Sequence, residues 1–210
     1  ALPDYTNAEF DRTLALLKSG GCTHISAYLL KIEPGTAFYK NLPSDLPDGD
    51  AAADFYLYAV KRLEEEGYPQ YEISNFAAPK HRGRHNMLYW DCQDYLGIGP
   101  AAHSCMGRVR SFWPTGPDAV SDFISGKLIT ETEGLCDAED YLMLRLRLRD
   151  GLDLKAYKER FGGTLNQTQL DFVKQCVGAG YARFDGQVLS LTPRGLLVQN
   201  GIVSELMAEE

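Results

Sequence analysis

Apolar residues recur at Phe10, Leu14 and Leu17, the three- and four-residue spacing of one face of an α-helix. Thr6 and Glu9 at its start form a capping box, in which each side chain accepts from a free backbone N–H, and Gly20-Gly21 closes it. Residues 24–30 are apolar on both faces, which predicts a strand buried on both sides, as in a parallel sheet. After a turn at Glu33-Pro34-Gly35-Thr36, a second helix begins near Asp50 with Ala52, Phe55, Ala59 and Leu63 on one face. Gly67 stops it, and Tyr71-Glu72-Ile73 reads as a short strand. Helix, strand, helix, strand implies parallel βα units. Two strands do not make a stable sheet, so this half needs partners from elsewhere.

From residue 76 to about 113 the pattern is irregular and rich in Gly, Pro, His and Arg. Residues 95–100 read as a strand running into a glycine turn, and Met106-Gly107-Arg108 as a hairpin tip before a strand over 109–112. Pro117 and Asp118 open a short helix that ends at Gly126. Farther on, Asp137 and Asp140 suit a helix start, yet Leu142, Leu144, Leu146 and Leu148 alternate with period two. Helix is preferred because of the cap, the helix-forming leucines and arginines, and the stop at Gly151. Helices over 154–161 and 167–178, a strand over 187–191 after the Asp185-Gly186 turn, and a last helix over 193–206 complete the pattern. Three helices, a two-stranded wing and a closing helix resemble a winged-helix fold. The expected division is 1–135 and 136–210.

The 210 residues are 44% hydrophobic and 24% charged, enough to build a core. A net charge of -8 argues against a general nucleic-acid or anionic-membrane surface, because counterion release needs an excess of Lys and Arg. The segment 167–178, where a winged helix would read DNA, holds one lysine and no arginine. No apolar run approaches the roughly 20 residues of a membrane span and no signal peptide opens the chain, so a cytoplasmic protein is expected. Cys22, Cys92, Cys105, Cys136 and Cys176 are odd in number and widely spaced, which excludes a full disulfide framework and suits free thiols in a reducing compartment. A heme or metal role for Cys92 or Cys105 stays open. Gly97-x-Gly99 lacks the third glycine and βαβ context of a dinucleotide fingerprint and reads as a tight turn.

The densest chemistry lies in residues 75–90, where His81, His85, Arg82 and Arg84 stand beside Tyr89 and Trp90. These groups suit a flat, anionic tetrapyrrole. Imidazole ligates iron axially, rings cover the macrocycle, and Arg grips propionates. Arg108 and Arg110 could add to that grip. An arginine-rich structural loop with His and Trp against a sheet accounts for the same residues, and both readings stand. His103 is either a second iron ligand or a satisfied core imidazole.

The stretch His85-Asn86-Met87-Leu88-Tyr89-Trp90 matches the His-Asn-x-x-Tyr-Trp motif of radical-SAM heme chaperones. It lies between Tyr71-Glu72-Ile73-Ser74-Asn75-Phe76-Ala77 and Tyr95-Leu96-Gly97-Ile98-Gly99-Pro100, as in that family. His24-Ile25-Ser26-Ala27-Tyr28, Glu33-Pro34-Gly35-Thr36, Gly151-Leu152-Asp153-Leu154 and Leu191-Thr192-Pro193-Arg194-Gly195 extend the likeness over essentially the whole chain. The chain resembles the C-terminal part of the oxygen-independent coproporphyrinogen III oxidase-like family, nearest its heme-chaperone branch. The resemblance implies an α/β fold: the C-terminal part of an incomplete parallel (β/α)6 barrel followed by a small winged-helix-like domain.

It further implies that His85 ligates heme iron, with Asn86, Tyr89 and Trp90 at the macrocycle and Arg82 and Arg84 near the propionates. Ala77 would meet S-adenosylmethionine through its backbone. Heme or porphyrin is the expected cargo, and haem-requiring respiratory proteins are its recipients. The [4Fe–4S] cluster and S-adenosylmethionine belong to the full-length parent, because the Cys-x3-Cys-x2-Cys of the family occurs nowhere in these residues. Leu2-Pro3 matches a family Gly-x-Pro loop with Ala1 in place of glycine, so a fragment beginning around the fifth barrel strand, without radical chemistry of its own, is expected. Its open strand edges favour a homodimer. A coproporphyrinogen III oxidase fragment and a non-catalytic winged-helix interaction module are the alternatives.

Overall fold

The computed structural model describes residues 1–208 and divides into two compact units. The first comprises residues 1–82 with 192–198, and the second comprises 83–191 with the chain from 199 onward. The expected boundary at 135/136 therefore falls within the second unit.

In the first unit, α1 (Asn7–Ser19) begins with the expected capping box: Thr6 accepts from the Glu9 N–H and Glu9 accepts from the Thr6 N–H. It is followed by β1 (His24–Ser26), α2 (Ala37–Lys40), α3 (Gly49–Glu65), β2 (Gln70–Glu72) and β3 (Asn75–Ala77). Asp48 caps α3 by accepting from the Ala51 N–H at 2.8 Å. Leu14, Ile25, Tyr56, Val60, Leu63, Tyr68 and Phe76 form one apolar core, supported by Phe10 and Leu17. Each such side chain contributes roughly 1.5–3 kcal/mol on burial.

Two expectations change here. The strand over 24–30 is only three residues long, and Tyr28 is 72% exposed. Neighbouring strands are also antiparallel, in the order β1-β3-β2, with Ile25 opposite Phe76. The reason is β3, which the periodicity did not reveal. It turns back after β2 and inserts between β2 and β1, so those two strands run in the same direction without pairing. Only one face of β1 is covered, with Ile25 buried and Ser26 exposed, and its pairing ends where the Ala27 N–H donates to the Ser74 carbonyl.

The second unit opens with α4 (Arg84–Trp90), then β4 (His103–Met106), β5 (Val109–Phe112), α5 (Ala119–Ile124) and β6 (Glu131–Leu135). Strands β4, β5 and β6 form an antiparallel meander. Gly107 and Arg108 both have positive φ, +56° and +69°, as a two-residue type I′ hairpin turn requires. Residues 95–100 are not a strand. Tyr95 makes one isolated bridge to Cys105, and the Gly97 N–H then donates to Ser104 Oγ.

Next come α6 (Ala138–Arg145), β7 (Leu152–Asp153), α7 (Leu154–Phe161), α8 (Gln167–Gly178), β8 (Ala182–Phe184) and β9 (Val188–Leu191). Helix α6 has the Asp137/Asp140 capping box but ends at Arg145, short of Gly151. Arg147, Leu148 and Gly151 each donate to a carbonyl three residues back, so the chain leaves the helix in tight turns. That path buries Leu142, Leu146 and Leu148 together, which explains the period-two leucines. The sheet order is β7-β9-β8, one strand more than the expected wing. The last helix is broken at Val198 into α9 (Pro193–Leu197), which packs Leu197 on the first unit's core, and α10 (Gln199–Met207) of the second unit.

Gly151 has φ +75°, and a Cβ there would lie 2.3 Å from the Leu189 carbonyl oxygen. Gly186 has φ +97° with open space around it. Gly151→Ala is therefore expected to destabilise by roughly 2–4 kcal/mol, against about 1–2 kcal/mol for Gly186→Ala. Urea unfolding of both variants checks this, and equal losses would show that the β9 backbone does not crowd Gly151.

Candidate functional site

The residues singled out at 84–90 form a helix rather than a loop. His85 and Tyr89 are four apart and therefore share one face of α4. Tyr89 Oη lies 2.6 Å from His85 Nε2, with the rings edge-on at 4.8 Å. Tyr89 also meets Tyr95 edge-on at 4.4 Å. Burial and the neighbouring Cys105 and Tyr89 push the Tyr95 phenol above its usual range, so it keeps its proton at neutral pH. His85 and Arg84 are exposed, while Asn86, Tyr89 and Trp90 are half-buried. The Arg147 guanidinium lies 4.6 Å over the Trp90 ring, and the buried Trp90 Nε1 has no hydrogen-bond partner among the described residues. Trp90 thus faces the protein interior, where it anchors the helix.

Helix α4 has no side-chain N-cap at Gly83, and its order comes from the other end. Cys92 N–H donates to the Tyr89 carbonyl and Gln93 N–H to the Leu88 carbonyl, the paired bonds of a Schellman motif. Cys92 occupies its left-handed position at φ +45°, where glycine is usual. Arg145 pairs with the Asp91 carboxylate, and Arg160 donates to the Asp91 carbonyl at 2.7 Å. Tyr95, Arg145, Arg147 and Arg160 were not foreseen as site residues. The spacing of His85 and Tyr89 was the one available signal that the segment is a helix.

Other expected residues are committed elsewhere. Arg110 pairs with Asp140 at 2.8 Å and lies 3.6 Å from Glu133. Arg108 donates to the Cys136 carbonyl and lies 4.6 Å over the Phe161 ring. Both therefore hold the second unit together. His103 is neither buried nor in the core: it stacks on Phe112 and faces Glu133 at 3.6 Å. In the first unit, Arg82 lies 5.5 Å over the Tyr71 ring. Ala77 is 3% exposed there, with its N–H donated to the Pro69 carbonyl.

All five cysteines are free thiols, Cys22 half-buried and the others buried. Burial pushes the Cys92, Cys105, Cys136 and Cys176 thiols up, and a hydrogen bond with Cys136 adds to the effect at Cys92. Among the described residues no group of three or more His, Cys, Asp or Glu could hold a metal ion. They do not fit an iron–sulfur cluster. No described helix is long and apolar enough to cross a membrane.

The family profile described as the HemN C-terminal domain matches residues 137–198. Heme chaperone HemW of Mycobacterium tuberculosis is 30% identical over 215 residues, covering 98% of this chain and 53% of the relative. Heme chaperone HemW of Bacillus subtilis is 27% identical over 219 residues, covering 99% and 57%. Coproporphyrinogen III oxidase (HemN) from Escherichia coli, described as a radical SAM enzyme, matches with a TM-score of 0.72 at 17% identity, covering 98% of this chain and 52% of that one. The chain is thus similar over nearly its whole length to proteins described as heme chaperones HemW, and its residues 137–198 match the HemN C-terminal domain. It spans about half the length of the curated relatives it matches. At 17% identity the structural match shows an α/β fold of the HemN kind. The segment matched as HemN C-terminal domain begins at Asp137, the N-cap of α6, and contributes both Arg145 and Arg160 to the end of α4.

Two outcomes follow from this geometry. Arg145→Met removes a largely buried cation from Asp91 and is expected to cost roughly 1–3 kcal/mol in urea unfolding, since a hydrogen bond to a charged group is lost. In native protein, iodoacetamide is expected to modify Cys22 first, while the four buried thiols react only on unfolding. Mass spectrometry of peptides taken during the reaction reads the order.

Proposed function

We propose that this chain is the heme-presenting part of a heme chaperone, which binds heme at α4 and passes it to haem-requiring respiratory proteins. The observation that carries this reading is His85, exposed on one face of a pinned helix with Tyr89 one turn on, in a chain whose relatives are described as heme chaperones. In this reading His85 ligates the iron, Asn86 and Tyr89 contact the macrocycle, Trp90 fixes the helix under it, and Arg84 serves a propionate.

Further parts of the reading rest on the family. Residues 1–135 correspond to the C-terminal portion of an incomplete (β/α)6 barrel, and 136–210 to a winged-helix-like domain. The succession α6, α7, α8, β8, β9 supports the latter. Ala77 is assigned to S-adenosylmethionine in the full-length protein, where the segment carrying the [4Fe–4S] cluster would also lie. Because its N–H is already taken by Pro69, that contact uses another atom of the residue. The protein acts in the cytoplasm, without nucleic acid.

Hemin titration of the full-length protein tests the central claim. A red-shifted Soret band that saturates is expected, with at least a tenfold loss of affinity in His85→Ala. Undiminished binding by that variant rules out the ligand assignment. The likeness to HemN favours a second reading, a coproporphyrinogen III oxidase fragment. Anaerobic turnover of coproporphyrinogen III by the full-length protein with a reduced cluster would favour it.

A further inference from the structure

The nitrogen that His85 turns toward Tyr89 is Nε2, the one through which an axial histidine ordinarily ligates heme iron. Nε2 lies 2.6 Å from Tyr89 Oη, within a strong hydrogen bond, so it is not available as the structure stands. The two members of this pair are held very differently. Tyr89 is half-buried, and its ring packs edge-on against Tyr95 at 4.4 Å. Tyr95 is itself fixed by two backbone bonds to Cys105, of 2.8 and 3.0 Å. His85 is exposed on the first turn of a helix that lacks a side-chain cap. Exposed side chains change rotamer in nanoseconds or less, whereas packed rings do not. His85 is therefore the member that moves.

We propose that Tyr89 is the protein's own competitor for His85: its hydroxyl occupies Nε2 in the empty state, and heme capture is the exchange of that hydrogen bond for an Fe–N bond. This rests on the reading of His85 as the iron ligand. In capture, the neutral His85 imidazole with its proton on Nδ1 rotates away from Tyr89 Oη, the Oη–H···Nε2 hydrogen bond breaks, Nε2 donates its lone pair to the iron, and the water on that axial position leaves. No proton or electron is transferred. In release, the Fe–N bond breaks and Tyr89 retakes Nε2. Tyr89 is thus a positioning residue that lowers the fraction of binding-competent His85, and apparent affinity falls by that fraction. A net hydrogen bond of the usual strength sets the factor at about 2–10.

Tyr89→Phe tests the hydroxyl alone, because the ring and its packing against Tyr95 remain. In the full-length protein without heme, the variant is expected to shift the His85 imidazole 15N resonances, which reads the hydrogen bond independently of any ligand. With hemin, it is expected to keep the wild-type Soret position, bind about 2–10-fold more tightly, and release heme to apomyoglobin more slowly by a similar factor. Unchanged 15N resonances, unchanged affinity, weaker binding or faster release would each overturn the competitor role. A wild-type spectrum of the phenolate-ligated kind, abolished by Tyr89→Phe, would overturn it too by making Tyr89 the ligand. If His85→Ala binds hemin as the wild type does, or the wild type binds none, the chaperone reading of His85 fails and the proposal falls with it. A failure confined to Tyr89→Phe leaves that reading intact.

Discussion

Helix α4 could not stand without the interactions that close its C-terminal end. Seven residues are too few for a helix to persist in water, and this one lacks even a capping side chain at its start. Arg145 on the Asp91 carboxylate, Arg160 on the Asp91 carbonyl and the Schellman bonds of Cys92 and Gln93 supply the missing order. Non-glycine backbone in the left-handed region costs about 1 kcal/mol or more, so Cys92 holds that conformation because its surroundings impose it. Everything the candidate site can do depends on this tether.

The tether itself comes from the segment matched as the HemN C-terminal domain. Asp140 has two tasks there. One carboxylate oxygen accepts from the Asp137 N–H to complete the α6 capping box, and the other accepts from Arg110 on β5. Helix α6 is thereby fixed to the meander at its first turn and presents Arg145 at its last. The contacts to the meander and to α4 thus stand at opposite ends of one eight-residue helix. This gives the C-terminal segment a role in the site although it contains none of the residues proposed to touch heme.

What could be read from the sequence follows from how local each cause is. The caps at Thr6/Glu9 and Asp137/Asp140 join residues three apart, and α7 and α8 carry enough apolar spacing to be recognised, so these elements match expectation. Strand β3 was missed because three residues carry no period, and its place is decided by pairing with Ile25 some fifty residues away. Helix α4 is hard to see in the sequence because its start has no side-chain cap and its end is closed by arginines more than fifty residues on. The leucines at 142–148 misled for a related reason: their spacing reports burial along a helix that unwinds into turns, and periodicity analysis assumes one conformation throughout. In the candidate site, residue types were legible, but which were free to act was not. Arg108 and Arg110 look like propionate ligands until their partners at Cys136, Phe161 and Asp140 are seen.

The anchoring of α4 is also unequal along its length, and that bears on carriage. Trp90 and Tyr89 sit beside the tether, under Arg147 and against Tyr95, whereas Arg84 and His85 occupy the uncapped first turn. A helix end without a side-chain cap opens at lower cost than one tethered as Asp91 is, and the imidazole stands at that less anchored end. A carrier must release what it binds, and a rigid pocket that met every need of the iron would hold it too long. Under the proposed function the fixed end would supply a ring surface of defined position, and the first turn would supply a ligand that can be drawn back by one hydrogen bond. Rigidity and release are thus separated by a single helical turn.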